Sequence, residues 1–256
     1  MAWRFLGILA IGLIPVAFVS GISDAANADV ERCIHSKTPN DKVYYCSIAL
    51  RGRSGGEMTD RLLLRRGNAL MQLGIFSEAV KDFSRLIAAN PTVAGYVDNR
   101  MAALRSLGLL QEALADANHA VDMAPHKAFV YHRRGLVFED LKQFPAALSD
   151  FNQAISLDPN NAGFMVERAR IKVEAGRTNE AIEDLSRAIA QDPGNLAALK
   201  QRGMAHLALG DLDSAANDLL AYSRAVPGDP DVATAIATIK PAMGKPSRQL
   251  DVSRGD

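Results

Sequence analysis

Arg66, Arg100, Arg134, Arg168 and Arg202 recur at one constant spacing (100 − 66 = 34), and each is followed sixteen positions later by an aspartate: Asp82, Asp116, Asp150, Asp184 and Asp218. A guanidinium and a carboxylate at fixed spacing invite a catalytic reading. Five copies argue instead for a structural ion pair repeated once per unit, because an active site needs only one. Cys33 and Cys46 enclose twelve residues, with no Cys-x-x-Cys and no haem-type Cys-x-x-Cys-His. They are expected to pair in an oxidising compartment, closing a short loop worth about 3 kcal/mol by the chain-entropy estimate. His35, His119, His126, His132 and His206 form no metal-ligand spacing, so no metal is expected. No Walker-type loop, dinucleotide fingerprint or Gly-x-Ser-x-Gly elbow occurs, so no cofactor is implied. A hydrolase or transferase site around His35 is the catalytic alternative, and it lacks a nucleophile–base pattern. The chain reads as non-catalytic.

Composition narrows the class further. Hydrophobic residues make up 48% and charged residues 23% of 256, the balance of a folded chain. The formal net charge is +0 and no basic stripe occurs, so nucleic acid is not an expected partner. Residues 1–28 read as a signal segment. One positive charge, Arg4, precedes an apolar run from Phe5 to Gly21, and Ala26-Asn27-Ala28 forms an A-x-A site. Cleavage after Ala28 would leave a periplasmic or secreted protein with no membrane attachment; the competing reading is a retained anchor. No lipid-attachment pattern sits at the junction, because Val30-Glu31-Arg32 precedes Cys33.

The elements that position the ion pairs follow from the same period. Pro91, Pro125, Pro159, Pro193 and Pro227 repeat it (125 − 91 = 34). Setting this proline as position 32 defines units 60–93, 94–127, 128–161, 162–195 and 196–229. Position 20 is then Ala79, Ala113, Ala147, Ala181 and Ala215. Leu63, Leu70 and Leu73 share one helical stripe; Phe76, Val80, Phe83 and Ile87 share a second. Between them Gly74, Gly108, Gly176 and Gly210 occupy position 15, where a left-handed residue closes a helix, with Lys142 in the third unit. Small residues at positions 8 and 20 should face each other, with larger ones at 24 filling the space beside them.

This pattern resembles the tetratricopeptide repeat (TPR). The constant period carries the resemblance, with the alanine at 20, the proline at 32, and Gly67, Gly135 and Gly203 at 8. It covers all five units, from position 60 to position 229. The family's aromatic at position 11 occurs as Phe138, whereas Lys172 and His206 stand there in the last two units; Met101 and Ala169 replace the glycine at 8 in the second and fourth. The resemblance implies an all-α fold, a right-handed solenoid of five helix-turn-helix hairpins. A degenerate half-repeat within 29–59 should precede it, with Asp41 to Leu50 as its second helix and Ser54-Gly55-Gly56 as a joint. A capping helix over 230–243, stopped by Pro241, should follow, then a disordered tail over 244–256.

The resemblance also implies a working surface, the concave face lined by first-helix positions 2, 5, 9 and 12. From these and adjoining positions, the residues expected to meet a partner are Asn68, Met71, Asp98, Asn99, Arg105, Phe129, His132, Arg133, Leu136, Glu139 and Arg170. Arg61, Leu64, Val173, Ala197, Lys200, Met204 and Leu207 extend the same face. The mixture suits a protein or peptide partner, a peptide or amphipathic helix held by both packing and hydrogen bonds. Asn68, Asn99 and Arg133 match part of a carboxylate-gripping set, but Leu64 and Phe129 stand where its lysines should be. The expected function is an interaction scaffold of the cell envelope; the alternative is a spacer that dimerises through its ends.

Overall fold

The computed structural model describes residues 27–243. The expected signal segment, apart from Asn27 and Ala28, and the tail from Gly244 lie outside the described residues. Regular structure among the described residues is entirely helical. The chain divides into two compact units, Met1–Leu109 and Leu110–Asp256, with the boundary inside the second sequence repeat. The first unit holds α1 (27–35), α2 (Pro39–Ala49), α3 (Glu57–Gln72), α4 (Phe76–Ala89) and α5 (Ala94–Ser106). The second holds α6 (Leu110–Met123), α7 (Ala128–Asp140), α8 (Phe144–Leu157), α9 (Ala162–Glu174), α10 (Thr178–Gln191), α11 (Leu196–Ala208), α12 (Leu212–Ala225) and α13 (Pro230–Met243). Within each unit successive helices pack on one another, and α11 also touches α9 and α13, so first helices stand side by side. This is the stacking of a helical solenoid.

Side-chain size sets how closely each hairpin closes. Phe83, Phe151, Leu185 and Leu219, all at position 24, are fully buried. Position 8 was expected to meet position 20, yet its nearest neighbour is position 24. A methyl group at Gly67 would lie 2.6 Å from the Phe83 ring, one at Gly135 2.8 Å from the Phe151 ring, and one at Gly203 2.7 Å from Leu219. The missing side chain at 8 is therefore the space that the large residue at 24 fills, while the alanine at 20 is buried beside it.

Each hairpin turns on a left-handed residue. Gly74, Gly108, Gly176 and Gly210 have φ between 73° and 77°. Lys142 takes the same role at φ 59°, the one non-glycine with positive φ among the described residues. Its Cβ meets the carbonyl crowding that glycine avoids, at a cost of about 1 kcal/mol. Pro145 lies in the first turn of α8, where a missing N–H costs nothing.

The N-terminal segment is a fuller hairpin than expected. α2 is preceded by α1, and a disulfide joins Cys33 of α1 to Cys46 of α2 with both residues fully buried. They belong to one core with Leu62, Leu63 and Phe83. α3 starts at Glu57, three residues before position 1 of its repeat at Asp60. At the other end Pro241 does not stop α13, which continues to Met243. In a final helical turn proline removes a single backbone hydrogen bond.

Two substitutions in the third hairpin should act in opposite directions. Gly135→Ala, forced against the Phe151 ring, is expected to lower stability by about 1 kcal/mol despite alanine's better helix propensity. Lys142→Gly is expected to raise it by about 1 kcal/mol by relieving the positive φ. Chemical denaturation of both variants checks the pair.

Candidate functional site

The repeated ion pair fixes the positions of the first helices. In the four hairpins lying within a single unit, the arginine at position 7 meets the aspartate at 23 in a two-pronged contact. Nε and Nη2 of Arg66, Arg134, Arg168 and Arg202 donate to the two carboxylate oxygens of Asp82, Asp150, Asp184 and Asp218 at 2.5–2.9 Å. The third arm, Nη1, reaches the preceding hairpin. It donates to Ser47, Ser84, Asn118, Asn152 and Ser186 from Arg66, Arg100, Arg134, Arg168 and Arg202, at 2.7–3.1 Å. One guanidinium thus ties its own helix, the next helix and the second helix of the hairpin before. Hydrogen bonds to the aspartates hold Arg66, Arg134 and Arg202 above the ordinary arginine range.

The position-25 acceptors went unrecognised in the sequence. Their signal is a small polar residue recurring with the same period, weakened by alternating between serine and asparagine. Ser47 falls on the same register, and counting from it places Cys33 at position 11 and Cys46 at 24.

The unusual residues at position 11 are also accommodated. Lys172 Nζ lies 2.8 Å from Asp184 Oδ2, so this buried carboxylate faces two cations. Burial pushes the Asp184 carboxyl up, but hydrogen bonds from Arg168 and Lys172 outweigh it and hold the group below its usual range. His206 Nδ1 stands 3.1 Å from Asp211 Oδ2. Near the expected N-terminal alternative site, His35 is exposed beside Glu31, and the Ser36 hydroxyl donates to the Arg32 carbonyl at 2.6 Å.

A largely apolar recess lies between α9 and α11. It has a volume of about 510 Å³ and is lined by Arg170, Val173, Glu174, Ala197, Lys200, Gln201, Met204, Ala205 and Ala208. Five of these, Arg170, Val173, Ala197, Lys200 and Met204, belong to the face read from the sequence. In the first unit a more polar recess of about 600 Å³ involves Glu57, Asp60, Arg61, Leu64 and Tyr96.

The eleven residues expected to meet a partner divide between the units. Asn68 and Met71 lie on α3, and Asp98, Asn99 and Arg105 on α5. Phe129, His132, Arg133, Leu136 and Glu139 lie on α7, and Arg170 on α9. Asn68 and Phe129 are exposed. Met71 packs on the first unit's core, and Leu136 packs beside Phe151. The His132 ring sits 4.9 Å from that of Phe164. Glu139 is buried and ion-paired with Arg170, whose Nη2 also reaches Glu167 at 2.5 Å. Several of these side chains therefore contribute to inter-helix packing.

Asp229 ties the last three helices together. Its Oδ1 caps α13 by accepting from the amides of Asp231 and Val232. Its Oδ2 accepts from Lys200 Nζ at 2.7 Å and from the Tyr222 hydroxyl at 2.9 Å. The Lys200 hydrogen bond leads in lowering the Asp229 carboxyl to about 2.

Comparison with known proteins agrees with this architecture. Three family models described as tetratricopeptide repeat match residues 64–128, 128–161 and 172–239. No match was found among curated proteins. Among solved structures, a thermophilic TPR protein of Thermus thermophilus is 21% identical, with 71% of this chain and 98% of that chain covered at a TM-score of 0.59. MamA of Desulfovibrio magneticus RS-1, from its residue 41 onward, is 20% identical, covering 68% and 96% at 0.58. YrrB, described as a TPR protein with an unusual peptide-binding site, is 16% identical, covering 75% and 97% at 0.53.

Removing one clamp should be costly. Arg134→Ala leaves Asp150 buried without its counter-charge and is expected to lower stability by about 3 kcal/mol. Arg134→Lys should recover little of this, because a point charge cannot serve Asp150 and Asn118 together. Denaturant midpoints of the two variants check both statements. For Asp229, the depressed carboxyl contributes stability that is complete above the ordinary aspartate value near 4 and is lost as pH falls from there through about 2. A carboxyl-detected NMR titration is expected to place its midpoint near 2, and Lys200→Met should move it back toward the ordinary range.

Proposed function

Because the chain belongs to the tetratricopeptide-repeat family, we propose that it is a non-catalytic interaction scaffold of the periplasm or cell envelope, holding a peptide or helix of another protein on its first-helix face. The recess between α9 and α11 carries this reading. It is concave, largely apolar and bounded by a few polar groups, the character of a ligand-binding cleft. Val173 and Met204, large apolar side chains, stand 40% and 37% exposed in it. A contiguous apolar patch rimmed by polar groups is the kind of surface that marks an interaction site. The described peptide-binding site of the similar YrrB structure is consistent with a peptide ligand.

The location rests on the signal-like pattern of residues 1–28 and on the Cys33–Cys46 disulfide, which suits an oxidising compartment. No helix among the described residues is long and apolar enough to cross a membrane. The remaining expected contact residues, from Asn68 to Glu139, extend the proposed surface on the first helices of their own units.

Site-specific photo-crosslinkers test the reading in the native envelope. Probes at Asn68 and Val173, on first helices, are expected to give discrete adducts with another protein. Probes at the exposed Lys81 and Arg187, on second helices, are expected to give none. Equal labelling from both faces would remove the groove assignment.

A further inference from the structure

The charges around the α9–α11 recess specify the kind of chain that fills it. Arg170 is neutralised by Glu139 and Glu167, and Lys200 by Asp229. Both cations of the lining are thus already paired and are poor anchors for an acidic ligand, since recruiting either would strip a carboxylate of its partner. Glu174, the last residue of α9, differs. It is exposed, lines the recess, and makes no ion pair among the described residues. Its carboxylate also stands at a helix C-terminus, where the backbone carbonyls add to the negative potential and favour a cation. Across the recess the Gln201 amide makes no protein hydrogen bond among the described residues. Between them the lining is apolar, with Val173 on the α9 wall and Ala197, Met204 and Ala205 on the α11 wall.

We propose that the occupant is an amphipathic helix of another protein, with an apolar face that covers Val173 and Met204 and a lysine or arginine bordering that face to meet Glu174. This rests on the groove reading above and narrows it to one partner chemistry. The small residues Ala197 and Ala205 let a second helix approach the α11 wall closely, as helix packing requires. Apolar anchors at i, i+3, i+4 and i+7 reproduce the stripe such a groove takes. The uncompensated carboxylate at the rim then selects basic over acidic flanks.

The test uses the full chain and three fluorescent helical peptides. One carries leucines at the anchor positions bordered by lysines, one has the same leucines bordered by glutamates, and one scrambles the first. Anisotropy titrations are expected to show tightest binding by the lysine-bordered peptide. Met204→Glu, and Val173→Glu on the opposite wall, should each weaken it about tenfold. Glu174→Lys should invert the preference between lysine and glutamate borders. All three positions are exposed, and circular dichroism checks that the variants remain helical. Binding by none of the peptides, equal binding of the scrambled one, preference for glutamate borders, or indifference to both wall variants would each overturn the proposal, as would self-association of the chain in place of peptide binding. Should crosslinks from Val173 persist in those cases, the groove stands and the partner chemistry alone is wrong; if those crosslinks are absent too, both readings fall.

Discussion

A guanidinium shared among three helices is the constraint on which the rest of the structure depends. The arginine at position 7 pairs with the aspartate at 23 of its own hairpin, and its free arm reaches position 25 of the hairpin before. Burying such a pair gains little net stability over an apolar contact of equal volume, because both ions lose their hydration. Its value lies in geometry. Stripes of alanine, leucine and valine can pack in several registers with similar energy, whereas a planar fork with two carboxylate oxygens and one hydroxyl or amide oxygen accepts a single one. The clamp therefore fixes register, and apolar burial supplies most of the driving force.

The ends of the array show what happens when the clamp is absent. Position 25 of the last hairpin is Leu220, and the residue one period beyond Arg202 is Ile236. Both line an apolar recess of about 190 Å³ between α12 and α13. Where position 236 carries no arginine, no polar acceptor is provided, and α13 is held instead by Val232, Ala235 and Ile239 and by the Asp229 cap. At the start of the chain the disulfide stands at positions 11 and 24, so a covalent bond closes the shortened hairpin. At both ends of the array a different contact, covalent or apolar, stands where the polar lock would be.

The recess between α9 and α11 is a by-product of this stacking. Where α9 and α11 stand side by side, the small side chains of Ala197, Ala205 and Ala208 leave a recess rather than a ridge. Neighbouring charges then decide its character. Arg170 and Lys200 point their charges into pairs that stitch adjacent helices, so the recess they border is more apolar than its composition suggests.

Much of this was legible in the sequence. Prolines, alanines, arginines and aspartates recurring with a single period define the hairpins, because a repeat that stacks only on its neighbours must solve the same packing problem each time. Lys142 could be assigned to a turn because the other four repeats place glycine there. Other features lay beyond the sequence. The close neighbour of Gly135 is the Phe151 ring rather than Ala147, since side-chain direction and not residue size decides which atoms meet across a hairpin. The pairing of Glu139 with Arg170, nearly a full repeat away along the chain, needed the approach of two first helices. That pairing changes what the recess can bind. Periodicity along the chain therefore determined the helices, their order and which residues share a helical face. Tertiary packing decided which charges on that face are spent on neighbours and which remain available, because an ion's effective charge depends on the groups brought within a few ångströms of it and not on its place in the sequence.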